Sequence, residues 1–254
     1  MKSIKTKGIV LKTFSYSESS CITKIFTKDY GVISCLVRGA KKSTAKVRKP
    51  YLNELSILDL VLKTSAKSDL YYISEVKFDY NYSFINSADK DLTRNCIFML
   101  INEFLLNIIN DASSTDELFD FIYDALIELD TAKEISPDFH IIFITKIMYF
   151  LGINISFENY EKGKIIDIRD GELKFQTETE DALNVFNPYI IPCEFVEIIS
   201  QANHKNTNLN DRLDCCKSGK VRRATADYIL KFYQYYYPNI KDLKSLDILK
   251  ELFS

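Results

Sequence analysis

Apolar and polar residues alternate from Ile4 to Phe14 and again from Ser20 to Thr27. A third β-rich run covers Val32 to Val37, with Asp29, Tyr30 and Gly31 supplying turn chemistry before it. That pattern predicts a meander. Leu55 to Lys63 and Leu70 to Phe78 add two strands, separated by the polar stretch from Thr64 to Asp69. Five short strands of this size suit a small closed barrel of the OB-fold type. Beyond Asn86 the period changes: Leu92 to Ile109, Thr115 to Leu129, Pro137 to Leu151 and Cys193 to Ala202 place apolar residues at i, i+3, i+4 and i+7. These segments predict helices. Ser114 or Thr115, and Ser136 with Pro137 behind it, read as helix starts. Thr225 to Tyr237 predicts a long helix stopped by Pro238, with Tyr228, Phe232 and Tyr235 on its core face, and Ser245 to Phe253 a short one. Gly163 to Phe175, centred on Asp170 and Gly171, reads as a hairpin among the helices. The expected fold is α+β: a five-stranded OB-fold barrel over residues 1–80, then an all-helical domain over 81–254 with one small inserted hairpin.

Composition removes several classes. A chain of 254 residues, 46% hydrophobic and 27% charged with seven Gly and five Pro, is neither disordered nor fibrous and leaves little for linkers. The opening residues carry Lys2, Lys5, Lys7 and Lys12 without an apolar core of signal length. The densest later run, His140 to Ile153, is broken by Thr145 and Lys146. Neither export nor a membrane span is expected, which puts the chain in the cytoplasm. Cys21, Cys35, Cys96, Cys193, Cys215 and Cys216 follow no regular spacing and read as reduced thiols.

The net charge of -2 hides a segregation. Residues 1–80 carry fifteen Lys and Arg against seven Asp and Glu, about +8, and the remainder about -10. A basic domain in an acidic chain points to a polyanion, because fields act locally, within roughly 8 Å at physiological salt. The densest basic run is Arg38 to Pro50, where Arg38, Lys41, Lys42, Lys46, Arg48 and Lys49 stand among small residues with no acid between Asp29 and Glu54. Such a loop can follow a phosphate backbone; the same composition would serve a merely solvated loop. Phe14, Tyr16, Phe26, Tyr30 and Tyr51 are available to stack bases, but alternation does not tell which point outward. A second group, Lys217, Lys220, Arg222 and Arg223, precedes a helix expected to begin near Ala224, where cations oppose the macrodipole. Either an anion sits nearby or these residues pair with the acidic middle of the chain.

Catalytic chemistry finds little support. His140 is flanked by the apolar run Ile141 to Ile144 and reads as a core residue, no CxxC occurs, and adjacent Cys215 and Cys216 suit one zinc poorly. Glu18 with Ser19 and Ser20 lacks a nearby base, and no phosphate-binding Gly-rich loop is present. No catalytic residue, cofactor or metal is expected.

Both ends of the chain resemble one family. Gly8-Ile9-Val10-Leu11-Lys12, Ser17-Glu18-Ser19 with Ile22-Thr23, Phe26-Thr27 with Gly31, and Arg38-Gly39-Ala40-Lys41-Lys42 resemble the N-terminal part of the RecO family of bacterial recombination mediators and DNA repair proteins. Arg222-Arg223-Ala224, Tyr228, Leu230, Tyr233 and Leu243-Lys244-Ser245-Leu246 with Leu249 resemble its C-terminal part in order and spacing. Many members carry a four-Cys zinc site after the helix corresponding to Pro137 to Leu151; that stretch here, Gly163 to Phe175, holds no Cys, so metal is not carried over. The resemblance implies a non-enzymatic role in recombinational repair and the SOS response. It implies binding of single- and double-stranded DNA, strand annealing, contact with the tail of single-stranded DNA-binding protein, and work with RecR, sometimes RecF, to load RecA at the nucleoid. On this reading DNA contact falls to Arg38, Lys41, Lys42, Lys46, Arg48 and Lys49, with Lys220, Arg222 and Arg223. An OB-fold adaptor that binds only proteins, and an RNA-binding factor, are the competing readings.

Overall fold

One strand, β1 (Ser3–Ser15), is long enough to serve two neighbours, and this closes the barrel. Its first part, Ser3 to Ile9, pairs with β4 (Ile57–Ser65), and Gly8 to Ser15 pairs with β2 (Cys21–Thr27). β3 (Gly31–Val37) continues antiparallel from β2, and β5 (Ser68–Tyr80) runs parallel to β3 and antiparallel to β4. The order β1-β2-β3-β5-β4 returns to β1 as a closed, OB-like barrel, and every expected strand is present within two residues of its expected ends. This computed structural model describes residues 3–39, 47–65, 68–84, 91–109, 116–153, 155–158, 160–175, 187–238 and 240–252.

The barrel closes on a bend in β1. At Gly8 a Cβ would lie 2.6 Å from Ile25 Cγ2 and 2.8 Å from Leu60 Cδ1, so the close approach of strand to core there requires glycine. The register then shifts between Val10 and Lys12, a bulge held from outside the pair: Leu55 N donates to Val10 O at 2.7 Å and Val10 N donates to Ser56 O at 3.1 Å. Before the bulge Ile4 and Val10 pack inward and Lys5 and Lys7 face out; beyond it Thr13 turns inward, bonding Thr23 Oγ1 at 3.0 Å and the Leu52 carbonyl at 2.9 Å. Val10, Ile25, Ile33, Cys35, Leu58, Leu60 and Leu62 fill the interior, and a 3₁₀ turn (Lys49–Leu52) closes one end through Leu52.

The chain forms two compact units, divided within α1 (Leu92–Ile108). The first comprises residues 1–90 and 101–131, the second residues 91–100 and 132–254. In the first, α2 (Asp116–Thr131) buries Leu118, Phe119, Ile122, Ala125, Leu126 and Leu129 at helical spacing. Phe119 meets Phe26 on the outer face of β2, with ring centroids 5.6 Å apart. At the end of α2 the buried carboxylate of Asp130 accepts from Ser83 N and Phe84 N, each at 3.0 Å, from Ser83 Oγ at 3.0 Å and from Tyr80 OH at 2.7 Å. Ser114 and Thr115 lie outside the described residues.

In the second unit α3 (Phe139–Phe150) is buried nearly all round, as its uniformly apolar sequence requires, and packs with α4 (Cys193–Asn203) and α5 (Gly219–Tyr236). Helix α3 starts at Phe139, two residues later than the Ser136-Pro137 signal predicts: a turn over Pro137 and Asp138 comes first, with Ser136 Oγ accepting from Asp138 N at 3.2 Å while donating to Asp211 O at 2.8 Å. The expected hairpin is β6 (Lys164–Asp167) with β7 (Glu172–Phe175), and a two-residue β8 (Ile190–Ile191) makes it a three-stranded sheet. Helix α5 starts at Gly219, earlier than expected, because Ser218 caps it by accepting from Val221 N at 3.3 Å. Its core face also differs. Thr225, Ala226, Ile229, Phe232 and Tyr233 are buried and Tyr235 is exposed, since Tyr233 OH donates to Ile144 O at 2.6 Å and fixes the helix's rotation. A short α6 (Lys244–Leu252) ends the described chain. No described helix is long and apolar enough to cross a membrane.

Burial alone would raise the Asp130 carboxyl, but the Ser83 and Phe84 amides and the Tyr80 and Ser83 hydroxyls outweigh it and hold the group below the usual carboxylate range. A lowered folded-state pKa means the stabilisation is complete above the unfolded value, about pH 3.9 for Asp, and is lost as pH falls through the folded one. Asp130→Ala is expected to cost about 3 kcal/mol in urea unfolding at pH 7, with the gap to the parent narrowing below about pH 3.9.

Candidate nucleic-acid interface

Lys41, Lys42 and Lys46 lie outside the described residues. The other three cations of the loop are exposed at its two ends. Arg38 follows β3, its guanidinium 5.4 Å from the ring centre of Tyr72 on β5. Arg48 and Lys49 open the 3₁₀ turn, and buried Val47 and Leu52 pack with Cys21 and Val37 there. Apolar anchors on either side thus leave the cations no place but the surface.

The barrel register answers what alternation left open. Beyond the bulge Lys12 pairs with Lys24, and Lys24 with Ser34. In the next row Phe14 pairs with Ile22, Ile22 with Leu36, Leu36 with Tyr72 and Tyr72 with Lys63. Residues directly paired across strands share a face, so both rows lie on the outer side, opposite the buried Thr23 and Cys35, with Leu36 covered and Ile22, Ser34 and Tyr72 half-buried there. Lys12, Lys24 and Lys63 are exposed, Phe14 is 43% exposed, and Tyr16 just beyond the strand is 65% exposed. The Lys12 ammonium stands 5.2 Å from the Phe14 ring centre. Of the aromatics named from sequence, Phe14, Tyr16 and Tyr30 are exposed. Phe26 is buried under Phe119, and half-buried Tyr51 packs on Phe78 at 4.5 Å.

Three cations elsewhere on this barrel are engaged, although exposed Lys5 on β1 pairs with no carboxylate among the described residues. Lys7 bonds Asp79 at 2.8 Å, Lys28 bonds Asp120 at 2.6 Å and Lys77 bonds Asp59 at 2.9 Å. The Asp79 bond is the largest cause holding Lys7 above its ordinary range. Lys12, Lys24, Arg38, Arg48, Lys49 and Lys63 pair with no carboxylate among the described residues. Density in the sequence singles out Arg38, Arg48 and Lys49, whereas Lys12, Lys24, Lys63 and Tyr72 stand far apart in the chain. Their common face appears only with the register. Such a face can neutralise phosphates while Phe14, Tyr16 and Tyr72 offer ring surface to bases.

The second basic cluster belongs to the other unit and divides. Lys217 and Lys220 are exposed, and Arg223 is half-buried with Nε donating to Gly219 O at 3.4 Å. Arg222 is a structural cation: its Nε donates to Asp138 Oδ1 at 2.6 Å, with the two side chains only 12% and 2% exposed. Asp138 also accepts from Leu213 N at 3.0 Å. Pairing with the acidic middle of the chain is therefore what Arg222 does. Next to it His140 is buried and neutral, its pKa pushed down to about 3 by burial first and then by the Arg222 charge. All six cysteines are free thiols, and burial pushes Cys35 and Cys216 up to about 12.

Removing one partner of a buried ion pair leaves the other charge uncompensated. Arg222→Ala is expected to lower stability by roughly 3–5 kcal/mol, and Lys220→Ala by less than about 0.5 kcal/mol, in thermal or urea unfolding.

Residues 1–82 match the family model described as recombination protein O N terminal, and residues 89–167 the one described as recombination protein O C terminal. Several DNA repair proteins RecO are similar to the chain along nearly their whole length. That of Flavobacterium psychrophilum is 30% identical over 263 residues, covering 99% of each chain. That of Flavobacterium johnsoniae is 30% identical over 259 residues, again 99% of each. That of Bacteroides fragilis is 27% identical over 252 residues, 98% of each.

Proposed function

The chain belongs to the RecO family of DNA repair proteins, and from that premise we propose that its barrel binds the phosphate backbone of DNA on the open face described above. Lys12, Lys24, Arg38 and Lys63 form the floor of this interface, with Arg48 and Lys49 beside it, and Lys41, Lys42 and Lys46 of the same basic run are further DNA contacts on this reading. The observation that carries the reading is that these described cations lack carboxylate partners while Lys7, Lys28 and Lys77, on the same barrel, have them.

Neutralising two backbones lowers the repulsion between complementary strands, and base pairing supplies the free energy of annealing, so the activity needs no catalytic side chain. The proposed role is that of a non-enzymatic mediator. It holds single strands for annealing and acts with RecR, and with RecF where present, to load RecA on DNA coated by single-stranded DNA-binding protein, whose tail is a further partner. Lys220 and Arg223 remain candidate DNA contacts; Arg222 is spent on Asp138.

Anisotropy of a labelled oligonucleotide across a salt series tests the reading. Each phosphate neutralised on a single strand contributes about -0.7 to the log-log slope, so the triple variant Lys12→Ala, Lys24→Ala, Lys63→Ala should flatten the slope by about 2 and weaken all sequences alike. An unchanged slope would remove this face from the account. Tighter binding of matched RNA than of DNA would favour the RNA-binding reading, and binding of RecR without any oligonucleotide affinity the adaptor reading.

A further inference from the structure

At the far end of β5, Pro50, Phe78, Tyr80 and Tyr82 wall a cleft of about 220 Å³, and Asn53, Glu54 and Asn81 stand at its rim. This volume lies below the roughly 300–1,000 Å³ of sites that take drug-sized ligands, so the cleft admits a single ring system. The wall offers ring surface and no free hydroxyl donor, because Tyr80 OH is committed to Asp130 at 2.7 Å, Tyr82 OH to Leu55 O at 2.8 Å and Ser56 Oγ, also in the lining, to Pro50 O at 3.3 Å. The rim is the reverse. Asn53, Glu54 and Asn81 are exposed, and their side chains make no hydrogen bond to any described residue.

The cleft is also preformed. Leu55 holds the left-handed φ of +58°, a conformation bulky residues rarely adopt. Its side chain is fully buried and its N–H bonds Val10 O at 2.7 Å, so the 53–56 turn beneath the rim is fixed. Exposed Lys49 leads directly into Pro50 of the wall.

Apolar ring faces beneath unpaired amides and one carboxylate match a flat heteroaromatic ring with a polar edge. We propose that this cleft is a pocket for one unpaired nucleobase of the bound strand, a subsite that rests on the DNA-binding reading. Glu54 repels a phosphate and accepts from an exocyclic amine, so the base enters first, its backbone stays with Arg48 and Lys49, and cytosine and guanine are favoured over thymine. An aromatic side chain of a protein would fill the same wall but would leave the rim amides and Glu54 unsatisfied.

The test compares a base-bearing single strand with an abasic strand of the same length and charge, using the full chain and its Asn53→Ala, Asn81→Ala double variant. The expected result is a five- to tenfold loss of affinity for the base-bearing strand, with the abasic strand and the salt slope unmoved. Equal losses on both strands, or no loss, would overturn the pocket while leaving the DNA-binding face intact. A parent protein that binds neither strand would overturn both. A second readout does not depend on the variant folding: side-chain amide resonances of Asn53 and Asn81 should move with deoxyguanosine or deoxycytidine and stay put with N-acetyltryptophanamide. The opposite pattern would give the cleft to a protein side chain.

Discussion

A single extra residue in β1 decides what the barrel presents to its surroundings. In a strand side chains alternate, so a shift of one position exchanges core and surface for every residue that follows. Up to Val10 the even positions Ile4 and Val10 face the interior; after the bulge between Val10 and Lys12 the odd position Thr13 does, and Lys12 and Phe14 are turned out. Without that shift a lysine would be aimed into an apolar interior at a cost no partner there relieves. The backbone bonds of Leu55 and Ser56 to Val10 hold the bulge, and the strained Leu55 is kept in place by its buried side chain.

The same bend divides the outer surface of β1 and β2. On one side Ile9 and Phe26 are sealed, Phe26 beneath Phe119 of α2, whose exposed edge carries Asp116, Glu117, Asp120 and Asp124. On the other, Lys12 and Lys24 stand open with ring surface beside them. A polyanion approaching this unit meets like charge along the helix and opposite charge on the open strands, which steers it before any contact forms. Ion pairing follows the same division: Lys28 is tied to Asp120 of the helix, while Lys12 and Lys24 pair with no carboxylate among the described residues.

Much of the architecture was legible in the sequence because its signals are local. Five strand periods, six helix periods and an Asp-Gly turn lie within short windows, and the observed elements follow them closely. What was not legible depends on pairing between distant segments. Three consecutive apolar residues, Ile9, Val10 and Leu11, interrupt the alternation where the bulge falls, but nothing local says which of them is the extra one, so Lys12 and Phe14 carry no sign of which way they face. The partnership of Arg222 with Asp138 joins residues 84 positions apart, and on composition alone Arg222 is indistinguishable from the exposed Lys220 beside it. On α5 Phe232 faces the core as its spacing predicts, but Tyr235 is exposed, and Tyr233, amphipathic by nature, is drawn inward by a carbonyl on α3.

The account rests on the open half of the barrel, and not the paired half, meeting DNA. Amine-reactive footprinting of the full chain, with and without saturating single-stranded oligonucleotide, reads this lysine by lysine in a mass spectrometer. Lys12, Lys24 and Lys63 should lose reactivity when the strand binds, while Lys77, whose side chain is 76% exposed beside Asp59, should keep it. Protection of Lys77 with Lys12 and Lys24 still reactive would contradict the account.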